Sequence, residues 1–193
     1  MDANEKFIYM TTEPVPRLVT SLAVPTIISM LITSFYNMVD TFFVGRINTS
    51  ATAAVGVVFS LMAVIQAIGF FFGHGSGNYI SRKLGERNME EASLMASFGF
   101  FSALIAGAVL MAGGLIFTEP LARLLGSTET ILPYAMDYLR YILIGAPYMT
   151  ASLVLNNQLR FQGNAFYGMI GIVVGAVINI ILDPVLIFGM GMG

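Results

Sequence analysis

The 193-residue chain is 56% hydrophobic and 10% charged, with nine Lys+Arg against eleven Asp+Glu for a formal net charge of −2. A soluble domain carries roughly 25% charged residues, so a water-soluble globule is excluded, and the near balance of charge leaves no footprint for nucleic acid. With no Cys and a single His, a disulfide framework, a thiolate metal site and a His-based metal centre all drop out.

The amino terminus, Met1-Asp2-Ala3-Asn4-Glu5-Lys6, lacks the basic start and early apolar run of a cleaved signal peptide. The first apolar segment is therefore expected to stay in the protein. A bilayer-spanning helix needs roughly 20 mostly apolar residues, and five such runs follow at approximately 18–44, 51–79, 93–117, 132–155 and 166–190. They predict an all-α, polytopic membrane helix bundle occupying the whole of residues 1–193. Gly45-Arg46-Ile47-Asn48, Ser81 to Glu91, Glu119 to Thr130 with its short amphipathic Pro120 to Leu125, and Leu159 to Asn164 read as the connecting loops. Basic residues are retained on the cytoplasmic side. Lys6, Arg17, Arg82, Lys83, Arg87 and Arg160 fall on one side and Arg46, Arg123 and Arg140 on the other, which predicts an amino terminus inside. The end at Gly189-Met190-Gly191-Met192-Gly193, directly after a span, reads as part of a longer protein or one member of an assembly.

In the first span Pro25 is expected to kink the helix, and Ser29, Thr33, Tyr36, Asn37 and Asp40 recur three or four residues apart, along one helix face. An ionised Asp at mid-membrane costs about 2.5–3.5 kcal/mol on insertion scales, so Asp40 should be partnered, protonated or cation-bound. The blander reading sets it at the outer interface, against water or Arg46. The second span carries a row of small residues at four-residue spacing, Gly69, Gly73 and Gly77; the third carries Gly99, Ala103 and Gly107, and the fifth Gly171 and Gly175. Such rows let backbones approach closely in lipid. His74 reads as a helix-end residue near water, since Gly73-His74-Gly75-Ser76-Gly77 matches neither a nucleophile elbow nor a phosphate loop.

The fourth span ends with Asn156 and Asn157, which read equally as amide ligands or as interhelical hydrogen bonds. In the fifth, Asn179 and Asp183 lie one turn apart with Pro184 next. Proline removes a donor and clashes with the carbonyl four residues earlier, so a bend is expected there, and freed carbonyls beside a carboxylate make a proton or cation site. The alternative is that Asp183 caps a broken helix near the surface. Two carboxylates sharing one poorly solvated site suit uptake of a proton or of Na⁺, with hard oxygen ligands from Asp, Asn, Tyr or carbonyl groups. Fifteen Phe, eight Tyr and thirteen Met supply adaptable apolar surface of the kind promiscuous sites use, although lipid-facing packing accounts for most of it.

Ala23-Val24-Pro25 with Tyr36-Asn37-Met38-Val39-Asp40-Thr41-Phe42-Phe43-Val44-Gly45, Ile80-Ser81-Arg82-Lys83-Leu84-Gly85, Leu159-Arg160-Phe161-Gln162-Gly163-Asn164 and Asn179-Ile180-Ile181-Leu182-Asp183-Pro184, in that order, resemble the multidrug and toxic compound extrusion (MATE) family. The resemblance implies a twelve-helix antiporter of two six-helix lobes, exporting organic cations and other drugs in exchange for Na⁺ or H⁺. It also implies a cation site in the amino-terminal lobe formed by Tyr36, Asp40, Asn157, Asn179 and Asp183. These 193 residues would then be that lobe less its sixth helix, and a carboxyl-terminal lobe is the expected partner.

The expected function is the amino-terminal part of a cation-coupled exporter in the cytoplasmic membrane. It needs no cofactor other than the coupling ion, no metal other than Na⁺ at Asp40 and Asp183, and no nucleic acid. Rival readings are a lipid-linked sugar flippase of the same superfamily, which an Arg-lined cavity would favour, and a truncated, non-transporting membrane component. An intramembrane enzyme is disfavoured, because no Ser/His, His/Glu or metal constellation occurs.

Overall fold

A computed structural model describes residues 3–45 and 49–185; within the helices, the side chains of Asp40, Asp183 and Pro184 lie outside the described residues. Seven helices follow one another: α1 (Ala3–Thr12), α2 (Val15–Val44), α3 (Thr49–Gly85), α4 (Met89–Ile116), α5 (Thr118–Leu124), α6 (Leu132–Phe161) and α7 (Ala165–Pro184). Five of them, α2, α3, α4, α6 and α7, are long and apolar enough to cross a membrane. There is no strand among the described residues.

Two of the expected loops are helix over half or more of their length. Ser81 to Gly85 completes α3 and Met89 to Glu91 opens α4, leaving only Glu86 to Asn88 as the turn. Charge did not end α3 because Arg82 and Lys83 in its last turn complement the helix dipole. Arg87 takes a left-handed φ of 58°, and the Asn88 side chain accepts from Glu91 N at 3.1 Å to cap α4. Lys83 Nζ then ties the turn shut, 2.9 Å from Glu86 and 2.8 Å from Glu91, to which the Tyr79 hydroxyl also donates. Likewise Leu159 to Phe161 belongs to α6, and the turn to α7 is Gln162 to Asn164, with Gly163 supplying φ 74°. The amphipathic Pro120 to Leu124 segment forms most of α5.

The helices fall into two groups. α6 packs along both α3 and α4, which also touch each other, and α5 seats against α6. α2 and α7 pack on one another and join this body mainly through the α6–α7 hairpin, α2 barely reaching α3. Because successive spans alternate in direction, α2 and α7 run the same way.

The three-helix body is held differently in its two halves. Toward the start of α3 and α6, side chains interlock: Ala54, Val58, Leu61 and Ile65 meet Leu132, Ala135, Leu139 and Leu143, all buried. Toward their ends, backbones approach through glycine. Leu153, Asn157 and Phe161, four apart on α6, sit on Gly69, Gly73 and Gly77, four apart on α3; a methyl group on Gly69 would stand 2.7 Å from Leu153 Cβ. The row on α4 is used in the same way, Gly99 against Ser76 and Gln158 and Gly107 against Pro147 and Thr150. The expectation for Gly171 and Gly175 is corrected: nothing stands within 4 Å of where a Cβ would be, so this row packs no helix among the described residues. The outer face of α4, with Leu94, Phe98, Phe101, Ile105 and Val109 all exposed, is what lipid as solvent permits.

α2 continues as one helix through Pro25, with Ser29 Oγ donating to the Pro25 carbonyl at 2.7 Å. α7 is helical as far as Pro184, so the bend expected at that residue lies at the limit of the described residues. α6 holds a second internal proline, Pro147, buried against α4.

Candidate functional site

Where α2 and α7 lean away from the body they leave a cleft of about 640 Å³, bordered by α2, α3, α6 and α7. Its size is that of a drug-sized ligand site. Met30, Phe70, Leu153, Leu155 and Ile172 give it an apolar wall. Its polar lining comes from Ser29, Thr33 and Ser34 on α2, Gln66 on α3, Ser152, Asn156, Asn157 and Arg160 on α6, and Tyr167 on α7.

Asp40 lies in the last turns of α2 and Asp183 in the last turn of α7. As the two helices are packed and run in the same direction, their backbones put both positions toward the same end of the pair. Tyr36 and Asn179, one turn before each aspartate, are half-buried. The α2 face divides: Ser29 is buried, Thr33 and Tyr36 half-buried, and Asn37 exposed. Ser29 and Thr33 use their hydroxyls on carbonyls four residues back in their own helix.

Asn157 is buried on the α3 side of α6, with Nδ2 donating to the Leu153 carbonyl at 2.8 Å and its Cβ held against Gly73. Asn157 is also among the residues that line the cleft. For Asn156 the hydrogen-bond reading holds: Nδ2 donates to the Gly168 carbonyl at 2.9 Å, tying α6 to the start of α7. His74 corrects the helix-end part of its expectation, although it is exposed. It sits inside α3, stacked at 5.3 Å on Phe70 and edge-on to Phe161 at 5.7 Å.

Three further polar residues escape a reading by charge or motif. Gln158 is buried and donates both to Ser76 Oγ and to the Ala96 carbonyl at 3.0 Å, joining α6 to α3 and α4 at one point. Thr150, fully buried, donates to the Ala103 carbonyl of α4 at 2.9 Å. Thr150, Val154 and Gln158 are four apart and all buried, so the helical spacing carries a signal for this face. Arg160 counts in the sequence toward orientation and the family motif but not as a site residue, yet it lines the cleft, and its buried Nε has no hydrogen-bond partner among the described residues.

The MatE family model matches residues 25–185. The chain belongs to the MatE family. It is 34% identical over 182 residues to the FAD transporter of Shewanella oneidensis, covering 94% of this chain and 40% of that protein. It is 31% identical over 188 residues to the multidrug export protein MepA of Staphylococcus haemolyticus, covering 97% of this chain and 42% of that one. The fold superposes with a TM-score of 0.88 and 28% identity on the crystal structure of a MATE protein in a bent conformation, over 100% of this chain and 42% of the other. The MatE chain described here thus spans about two fifths of the length of the relatives it matches. It is a multi-pass membrane protein of a transporter family, not an enzyme family.

Proposed function

We propose that this MatE chain is the amino-terminal part of a cation-coupled antiporter that exports drugs or other organic cations across the cytoplasmic membrane, its amino terminus inside. A carboxyl-terminal lobe completes the machine. Asp40 and Asp183 take up H⁺ or Na⁺, with Tyr36, Asn157 and Asn179 as neighbouring ligands. Uptake of the ion alters the charge enclosed between α2 and α7, and with it the balance between inward and outward arrangements. Cargo leaves as the ion enters.

The observation that carries this reading is the α2/α7 pair, packed together apart from the body and bearing an aspartate in the last turns of each helix. An acid within a span is costly to keep and is a functional hypothesis by default. The names of two relatives, a multidrug export protein and an FAD transporter, support an organic molecule as cargo. The test is cation-driven ethidium export from cells or proteoliposomes by the complete protein, with Asp40→Asn and Asp183→Asn. Export unaffected by either change would sink the assignment, and separate pH-jump and Na⁺-jump fluxes identify the driving ion.

A further inference from the structure

Among the described residues that line the cleft between the α2/α7 pair and the three-helix body, Arg160 is the sole ionisable group charged at neutral pH. Arg160 forms no ion pair among the described residues, in contrast to Arg17, Lys83, Arg123 and Arg140, each of which has an acid within 4 Å. Its Nε is buried and makes no hydrogen bond to any described residue. An arginine in the last turn of a spanning helix ordinarily reaches an interface or an acid. Here Arg160 lines a cavity.

The donors around it divide into two sets. Ser29, Thr33, Asn156 and Asn157 are engaged by backbone carbonyls. Arg160, the Tyr167 hydroxyl, Ser34, Gln66 and Ser152 have no such bond among the described residues, and all five line the same cavity. α7 starts at Ala165, just after the turn that follows Arg160, with no acidic residue in its first turn to offset the positive end of its dipole. Met30, Phe70, Leu153 and Ile172 add apolar surface to the same lining.

From this we infer that the cleft binds the anionic group of an amphipathic molecule, a phosphate or carboxylate, with Arg160 as its cation and the apolar wall against its body. A guanidinium offers a planar fork of donors matched to either oxyanion. The site stands on the lining of the cleft, not on the ion-coupling aspartates. Its failure would leave the coupling proposal as it is.

The test uses two probes that differ by one phosphate, riboflavin 5′-phosphate and riboflavin, titrated by flavin fluorescence into the purified protein in phosphatidylcholine nanodiscs. The phosphate ester should bind about tenfold more tightly, the effect of one charge-assisted hydrogen-bonded pair. Arg160→Gln should abolish the preference, Arg160→Lys should keep part of it, and Arg140→Gln, at the other end of α6, should leave it intact. Repeating the titration with phosphatidylglycerol in the disc separates two sources of the anion. Loss of the preference assigns the site to a lipid headgroup phosphate, and persistence assigns it to a soluble ligand; either supports the anion site. Equal binding of the two flavins, including no binding of either, overturns the inference, as does a preference that survives Arg160→Gln. Should the Gln variant fail to elute as a monodisperse species, the comparison of the two flavins on the unaltered protein and on Arg160→Lys still decides the matter.

Discussion

Gly107 of α4 rests directly on Pro147 of α6: a methyl group added at Gly107 would lie 2.6 Å from Pro147 Cα and 2.9 Å from the Ala146 carbonyl. Both obstacles are backbone, and proline stiffens the one that would have to move. Gly107→Ala should therefore lower stability by about 1–3 kcal/mol, the usual cost of overpacking. Gly113→Ala, with nothing within 4 Å, should not. Thermal unfolding of the two variants in the same detergent compares them.

Gln158 hydrogen-bonds to α3 and α4 together. Gln158→Leu keeps the volume but leaves Ser76 Oγ without that donor in a buried place. A loss of about 1–3 kcal/mol is expected. In a double-mutant cycle with Ser76→Ala the two losses should not add, because the second change removes the group that the first left unmatched.

The aspartates should behave as one unit. Asp40→Asn and Asp183→Asn each ought to abolish cation-driven export, and the double variant should be no worse than either single one. Additive partial losses would show two independent sites rather than one shared between α2 and α7. Flux in proteoliposomes of the complete protein gives the comparison.

The turn between α5 and α6 should loosen in acid. Hydrogen bonding to Arg123 at 2.6 Å, reinforced by its charge, holds the Glu129 carboxyl below its ordinary range, while Glu129 and Glu119 hold the Arg123 guanidinium above its own. A depressed carboxylate contributes stability above its unfolded value and loses it as pH falls through the folded one. Hydrogen exchange in residues 118–131 should therefore speed up on acidification beyond its intrinsic pH dependence. Glu129→Gln should remove that dependence. Both groups are exposed, so global stability should hardly change.

Span number and order were legible because lipid imposes length and apolarity on every crossing segment, whatever its partners. The ends of α3 and α6 were not. Ser81 to Gly85 and Leu159 to Phe161 are polar enough to pass for loops, but a helix can continue beyond the hydrocarbon, and basic residues at its carboxyl end favour that. The glycine row on α3 was visible, whereas its partner row, Leu153, Asn157 and Phe161, has no composition to mark it and becomes meaningful only once the two helices are paired. For the site, four-residue spacing singled out Tyr36 and Asn179 with their aspartates, since one helix face is a local property. The place of Arg160 in the cleft was hidden for the opposite reason. Near a span end it counts toward topology, and only the approach of α2 and α7 turns the same position into the wall of a cavity.

The hairpin at Gln162 to Asn164, with Asn156 bound to the Gly168 carbonyl, is the firmest link between the α2/α7 pair and the body. Mechanically it is a pivot with two long levers. A 20-residue helix is about 30 Å long, so a tilt of 10° at its base would carry the far end roughly 5 Å. That far end is where Asp183 lies, with Asp40 on the helix travelling beside it. A small rotation at that one turn would thus be felt chiefly at the two aspartate positions, while the glycine-seated contacts of α3, α4 and α6 stayed in register.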